Sequence, residues 1–390
     1  KWSVEHLSTE LNDAAPASYV LTNSRSIAES QAVAMNKEIA ENLRAASART
    51  GKDFVVVSRS DSTLRGHYPA ETDVLGASLG QSFDACVLCP FFLEGGRFTI
   101  QDVHYVAEGD QLVPAALTPF AKDAAFGYHS SNLREWIAEK SCRRIPTERI
   151  FSLSIEQLRS EQLAALPDRL VSLPTGAICI VNAAANSDMQ AAAWALMKAE
   201  SRGRRFLYRT AASFVAARIG MEPKALLTSD ELEPEQGRGM LFAIGSYVPK
   251  TTAQLQRLLP RLGDHHYELD VPSLLDDTKR DQHIADVVKR VSLDLADDHA
   301  VAVFTSRELV SGQGQESLNV GRQVSQALVA VVSQLQQRPR LLVAKGGITS
   351  SDIATDACQI ERAMVIGQIL PGVPVWRCWP DSRFPGMPLV

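Results

Sequence analysis

Phe54 to Glu71 reads FVVVSRSDSTLRGHYPAE. Phenylalanine and three valines have the composition of a buried strand. They run straight into Ser58, Arg59, Ser60, Asp61, Ser62, Thr63, Arg65 and His67. In open parallel sheets, ligands sit beyond the carboxyl ends of the strands, where loops lead into helices. One stretch therefore predicts both a parallel sheet and a site at its edge.

Outward from this stretch, short apolar runs alternate with amphipathic ones. SYVLTNS, FVVVS, DACVLCPFF and AICIVNA read as strands, and ESQAVAMNKEIAENLRAAS and DMQAAAWALMKAESR as helices. The alternation recurs after residue 238: MLFAIGS, AVAVFTS and RLLVAKGG are strands, with helices at TTAQLQRLL, SLNVGRQVSQALVAVVSQLQQ and SDIATDACQIERA. This pattern predicts an α/β fold of two domains, each a mostly parallel sheet flanked by helices, with a cleft between them. The acidic, Pro- and Gly-containing segment LLTSDELEPEQGRG, Leu226 to Gly239, marks the boundary, giving domains 1–228 and 238–390. At 390 residues, 45% hydrophobic and 22% charged, the chain can bury two cores.

A net charge of -5 with scattered Lys and Arg supplies no basic surface for nucleic acid. A local site for a small anion needs only a few donors. The cysteines at 86, 89, 142, 179, 358 and 378 show neither disulfide-framework nor zinc spacing, which favours a reducing, cytoplasmic setting. Cys86 and Cys89 form C-x-x-C inside the strand-like ACVLCPFF, so we read them as structural thiols. No apolar run approaches the roughly 20 residues of a membrane span, and no signal peptide is visible. Trp136, Trp194, Trp376 and Trp379 are expected in cores or domain contacts, and His265 and His266 on the surface.

Three kinds of turn could carry chemistry. In SRSDSTLRGH the arginines offer forked donors for a carboxylate, while the hydroxyls and Asp61 can pair with a polyol. The plain alternative is a solvated loop with a helix cap, but ten residues with one apolar side chain exceed what a cap needs. PFFLEGGRFTIQDVHYVAEGDQLVP has paired glycines, then Arg97 and His104 on a loop and short hairpin; alone it is a weak signal, and His104 reads as structural. In VAKGGITSSDIA a strand ends in paired glycines and Thr349, Ser350, Ser351 and Asp352 open a helix, a layout that suits phosphate, although a capped tight turn would look the same. AIGSYVPKTTAQL and AVFTSRELV repeat that layout, so Ser246 and Thr305 to Glu308 are expected along one edge with Gly346 and Gly347. There is no Walker A loop. No G-x-G-x-x-G follows a strand, which speaks against a dinucleotide dehydrogenase.

SRSDSTLRGHYPAE, FFLEGGRFTIQDVHYV, GSYVPKTTAQL, AKGGITSSDIA and GQILPGVPVWR together resemble the four-carbon acid-sugar kinase family, long catalogued as a domain of unknown function. The likeness spans nearly the whole chain. It implies an N-terminal domain for the sugar acid, a C-terminal domain for ATP, and transfer of phosphate to the terminal hydroxyl of threonate, erythronate or an oxo-tetronate with Mg2+. By position, Arg25, Arg59, Asp61, Ser62, Thr63, Arg65 and His67 would hold the acid. Ser246, Thr305, Arg307, Gly346, Gly347, Ile348 and Thr349 would hold ATP, with Gly372 close by. Asp61 is the candidate general base. The family's acidic D-D-x-T-G opening motif, its equal rival, is not in the sequence given, and neither is the family's C-terminal glycine-containing loop. The expected partners are a small sugar acid and neither nucleic acid nor membrane, with the oligomeric state open and a homodimer common for such enzymes. A non-catalytic regulator binding the same ligands is the competing reading.

Overall fold

In the computed structural model the chain divides into two units, Lys1–Pro223 and Lys224–Val390. The structure describes residues 2–80, 82–123, 125–222, 224–232, 236–245, 249–306 and 315–390. The chain is α/β, with helices flanking a wholly parallel sheet in the first unit and a mixed one in the second.

The first unit contains β1 (Val57–Arg59), β2 (Ala85–Cys89), β3 (Arg97–Ile100), β4 (Val103–Glu108), β5 (Gln111–Pro114), β6 (Ile150–Leu153), β7 (Ala177–Val181) and β8 (Phe206–Thr210). Five of these form an all-parallel sheet in the order β1-β8-β2-β7-β6. β7 and β8 are buried at every position, as strands covered on both faces must be. On one face Val87, Cys89, Cys179 and Tyr208 pack with Met189, Leu196 and Phe214 of the helices Asn186–Glu200 and Ala212–Arg218. On the other, Leu88, Ile178 and Ile180 pack with Tyr68, Leu133, Trp136 and Ile137.

β3, β4 and β5 form a separate antiparallel sheet after β2. Its first turn places Gln101 and Asp102 at φ 51° and 62°, the left-handed geometry a two-residue hairpin turn demands. The Asp102 carboxylate accepts from Arg134 Nε and Ser152 Oγ at 2.7 Å and from Asn182 Nδ2 at 2.8 Å. Ser152 lies in β6 and Asn182 just past β7, so this network pins the hairpin to the carboxyl edge of the parallel sheet.

The second unit contains β9 (Arg238–Ile244), β10 (His266–Leu269), β11 (Ala300–Thr305), β12 (Pro339–Lys345), β13 (Ala363–Leu370), β14 (Val373–Cys378) and β15 (Pro388–Leu389), in the order β10-β11-β9-β12-β15-β14-β13. The first five run parallel; β14 is antiparallel to both β15 and β13. Leu241, Val301, Val303 and Leu342 meet Val287, Val291, Leu328 and Val331 of the helices Arg280–Ala296 and Gln315–Gln334.

Several expectations need correcting. SYVLTNS is not a strand: it has no ladder partner among the described residues, and Tyr19 and Leu21 are 61% and 52% exposed. FVVVS yields only the short edge strand β1, with Val55 exposed, because a single neighbour, β8, covers it. The helix at SDIATDACQIERA closes early: Gly347–Asp352 passes into a wider turn, Ile353–Ala357, and Gln359 takes φ 54°. Trp194 is exposed rather than packed. Cys86 and Cys89 point to opposite faces of β2, and burial pushes both thiols up to about 12, which makes them poor nucleophiles.

Candidate functional site

The loop after β1 folds around Asp61. Its Oδ2 accepts from the Thr63 backbone N–H at 3.3 Å, from the Thr63 hydroxyl, and from Arg65 Nε at 3.0 Å. Among the described residues, Oδ1 faces only Arg25 Nη1, at 3.3 Å. Burial works to raise the Asp61 pKa, but the hydrogen bonds from Thr63 and Arg65 and the charges of Arg65 and Arg25 outweigh it, holding the carboxyl below its usual value. The group is thus an anion at neutral pH with one oxygen saturated and the other open to a further donor.

Two histidines hold this loop in place. His104, fully buried on β4, bonds the Ser62 carbonyl through Nε2 at 2.8 Å and the Thr99 hydroxyl through Nδ1 at 3.0 Å. A carbonyl can only accept, so Nε2 carries the proton and Nδ1 accepts from Thr99. Burial drives the His104 pKa down to about 4, which keeps the ring neutral. His67 Nε2 lies 3.1 Å from both the Ser24 and Ile27 carbonyls and must likewise be the donor. It fastens the loop to the short turn Ser24–Ser26 that carries Arg25. His67 is therefore already bonded within the fold, and its visible work is to position Arg25. Tyr128 donates to the Thr63 carbonyl at 3.0 Å, adding a third strut.

Among the other expected residues, Ser62 bonds His104 through its carbonyl, and its hydroxyl has no hydrogen-bond partner among the described residues. Arg65 spans Asp61 and Asp123, the latter at 3.5 Å. Arg59 is not gathered into the cluster. It is exposed and pairs in register with Thr210, which puts it on the sheet face opposite Arg209.

Arg209 was not singled out in the sequence and could not have been, since FLYRT reads as a plain strand. It is 2% exposed, its guanidinium lies over the Tyr68 ring at 5.0 Å, and Glu71 Oε2 is 3.7 Å from Nη1, too far for a hydrogen bond. Neither terminal nitrogen has a hydrogen-bond partner among the described residues. A Cβ on Gly66 would stand 3.5 Å from Nη2, so the guanidinium rests directly against the loop. Burial lowers its pKa while Glu71 opposes that.

In the second unit the parallel strands share a carboxyl edge. Gly245 N–H bonds the Lys345 carbonyl at 3.0 Å, closing β9 against β12. Gly346 follows at φ 129°, a conformation side chains resist, and the helix Gly347–Asp352 begins. Thr349 is buried against Gly245, where a Cβ would run into its hydroxyl. Gly245 was not singled out in the sequence. Thr305 is buried at the end of β11 on this edge. β13 runs parallel to β12, so its turn into β14 with Gly372, φ 78°, projects from the same edge, but two to three strand spacings away, about 12 Å. The expectation that Gly372 lies close by is loosened accordingly. Ser246 and Arg307 lie outside the described residues, as do the side chains at Gly347 and Ile348.

Residues 3–218 match a family model described as a sugar-binding N-terminal domain, and residues 241–390 one described as a nucleotide-binding C-terminal domain. Among solved structures, a Salmonella typhimurium LT2 protein with a provisional tRNA synthase description aligns over 99% of this chain and 91% of its own, with TM-score 0.71 and 15% identity. A Haemophilus influenzae protein described under the DUF1537 family aligns over 94% and 83%, with TM-score 0.64 and 17% identity. At such identities these two show the fold. A search of curated proteins finds no match. With both halves of its length matched in that order, the chain belongs to the four-carbon acid-sugar kinase family.

Proposed function

We propose that the protein transfers the γ-phosphoryl group of ATP to the terminal hydroxyl of a four-carbon sugar acid, threonate, erythronate or an oxo-tetronate. The observation that carries this reading is the half-saturated Asp61 carboxylate. A carboxylate held anionic among guanidiniums, with Oδ1 open, suits a substrate that brings hydroxyl donors and a negative charge of its own. Asp61 Oδ1 would accept the reacting hydroxyl and orient it. Phosphoryl transfer passes through a loose transition state in which positioning outweighs proton removal, so a weakly basic carboxylate is adequate.

ATP would lie along the glycine edge of the second unit. Gly346 lets the backbone turn sharply and the following helix opens with free N–H groups, a cradle for phosphate oxygens. Magnesium, carried mainly by phosphates, asks for one or two protein carboxylates. Asp352, held by Ser325 Oγ at 2.8 Å on that helix, fits this part. When bound, the magnesium–nucleotide complex supplies the transferred group and neutralises its charge. The reaction further requires that acid and nucleotide be brought together away from water, or ATP would be hydrolysed idly.

The test is ADP release by the purified protein with ATP, magnesium and a panel of four-carbon acids. Acid-dependent turnover that Asp61→Asn lowers at least a hundredfold is expected. Absence of turnover with every acid would overturn the proposal.

A further inference from the structure

Arg97 is the one arginine of the glycine-rich FFLEGGRF stretch, and the hydrogen bonds of the Asp61 loop do not use it. It opens β3, and strand alternation puts its side chain on the same face as Thr99. Thr99 in turn reaches the Asp61 loop through His104 and Ser62. A second observation agrees: the Arg97 guanidinium carbon lies 5.4 Å from the centre of the Phe120 ring, and that of Arg65 lies 5.0 Å from the same centre. Two cations share one aromatic ring, and the ring's quadrupole offsets part of their repulsion.

The donors of these cations are spent very differently. Arg65 gives Nε to Asp61 and Thr63 and Nη1 to Asp123. Arg97 gives Nη1 to the Gly95 carbonyl in its own turn. Among the described residues its buried Nε has no hydrogen-bond partner, and no carboxylate lies within ion-pair distance of it. Burial works against its charge, and Asp61 nearby supports it. A half-buried guanidinium with unspent donors costs free energy unless an acceptor arrives. Elsewhere in this unit arginines are spent on carboxylates, Arg134 on Asp102 and Arg159 on Asp188.

We propose that Arg97 is a substrate-recognising residue, which together with Arg65 across Phe120 takes the carboxylate of the acid and leaves its hydroxyls to Asp61 and Ser62. The inference rests on the sugar-acid reading above. It makes Arg97 the residue that separates sugar acids from neutral polyols, because only the acid supplies the missing acceptor.

The experiment compares wild type, Arg97→Gln and Arg97→Lys with D-threonate, D-erythronate and the neutral tetritols threitol and erythritol, by calorimetric binding and by ADP release. Thermal melts check that the variants fold. In Arg97→Gln the acids should bind at least tenfold more weakly, with KM rising in step and kcat within about threefold, while the tetritols are unaffected. Arg97→Lys should fall between. Equal weakening of acids and tetritols, or a changed melt with unchanged acid affinity, would mean that Arg97 only holds its turn and would overturn the inference, as would a wild type that binds none of the acids. If the wild type binds acids but releases no ADP, the kinase reading fails, and the binding comparison still decides the role of Arg97.

Discussion

The Asp61 loop in the first unit and the Gly346 turn in the second both sit at carboxyl edges of parallel strands, yet they are built from opposite materials. The first is a lattice of side chains: a carboxylate, several guanidiniums, two histidines and a tyrosine, each fixing another at hydrogen-bond distance. The second is made of what is missing, the absent Cβ at Gly245 and Gly346 that lets Thr349 and the helix start come close. Charged lattices are pre-organised by electrostatics and tolerate modest shape changes. A backbone cradle has only shape, and one added carbon can close it.

The sharpest way to break this contrast is Gly245→Val. Its side chain would meet the Thr349 hydroxyl, with Thr349 Cγ2 and Leu328 Cδ1 at 3.0 Å from the first added carbon. We expect a stability loss of about 2–3 kcal/mol or more in chemical denaturation, together with loss of nucleotide binding. Adding Thr349→Ala should recover part of it, with a coupling of about 1–3 kcal/mol in the double-mutant cycle. Additive effects would show that the two residues do not form one contact.

An effect of comparable size, confined to acid, is expected from the lattice at His104. Its folded pKa is about 4 against an unpaired value of 6.5. Between those values the unfolded chain holds a proton that the folded chain refuses, so the contribution is full above pH 6.5 and is lost as pH falls toward 4. The loss amounts to about 3 kcal/mol at most. His104→Gln should remove that slope while retaining much of the activity at pH 7.5, since an amide can still donate to the Ser62 carbonyl. Denaturation midpoints at pH 7.5 and 4.5 measure this, and parallel pH curves for variant and wild type would contradict it.

The smallest change is Gly372→Asn. No atom lies within 4 Å of a Cβ there, and asparagine tolerates the left-handed φ of 78°. Stability should move by less than about 1 kcal/mol. A KM for ATP raised without a fall in stability would bring this hairpin turn into the nucleotide site although β15 stands between the hairpin and β12.

Much of the parallel architecture was legible because buried central strands announce themselves: ACVLC, AICIV and AVAVF are apolar without interruption, as a strand covered on both faces must be. SYVLTNS misled for a related reason. Its β-branched and aromatic residues satisfy strand propensity, but propensity without a neighbour to hydrogen-bond makes no strand, and only tertiary context supplies the neighbour. At the site, SRSDSTLRGH disclosed Asp61, Thr63 and Arg65 because they lie within a few residues and interact with one another. Arg59 belongs to the same segment, but the edge strand sets its direction away from the Asp61 cluster. Arg209, Tyr128 and Phe120 reach the loop from far along the chain, and their own surroundings in sequence are ordinary.

The amino-acid order by itself determined that this chain makes two α/β units, that its polar chemistry gathers after the strand in FVVVS, and that a glycine turn follows β12. Hydrophobic periodicity and turn chemistry are local and survive in the unfolded string. Which guanidiniums are spent and which are left with donors to offer was decided only by the tertiary structure. A hydrogen bond depends on distance and direction, and those exist only once β3, β4 and β8 are brought to the same sheet edge as the Asp61 loop.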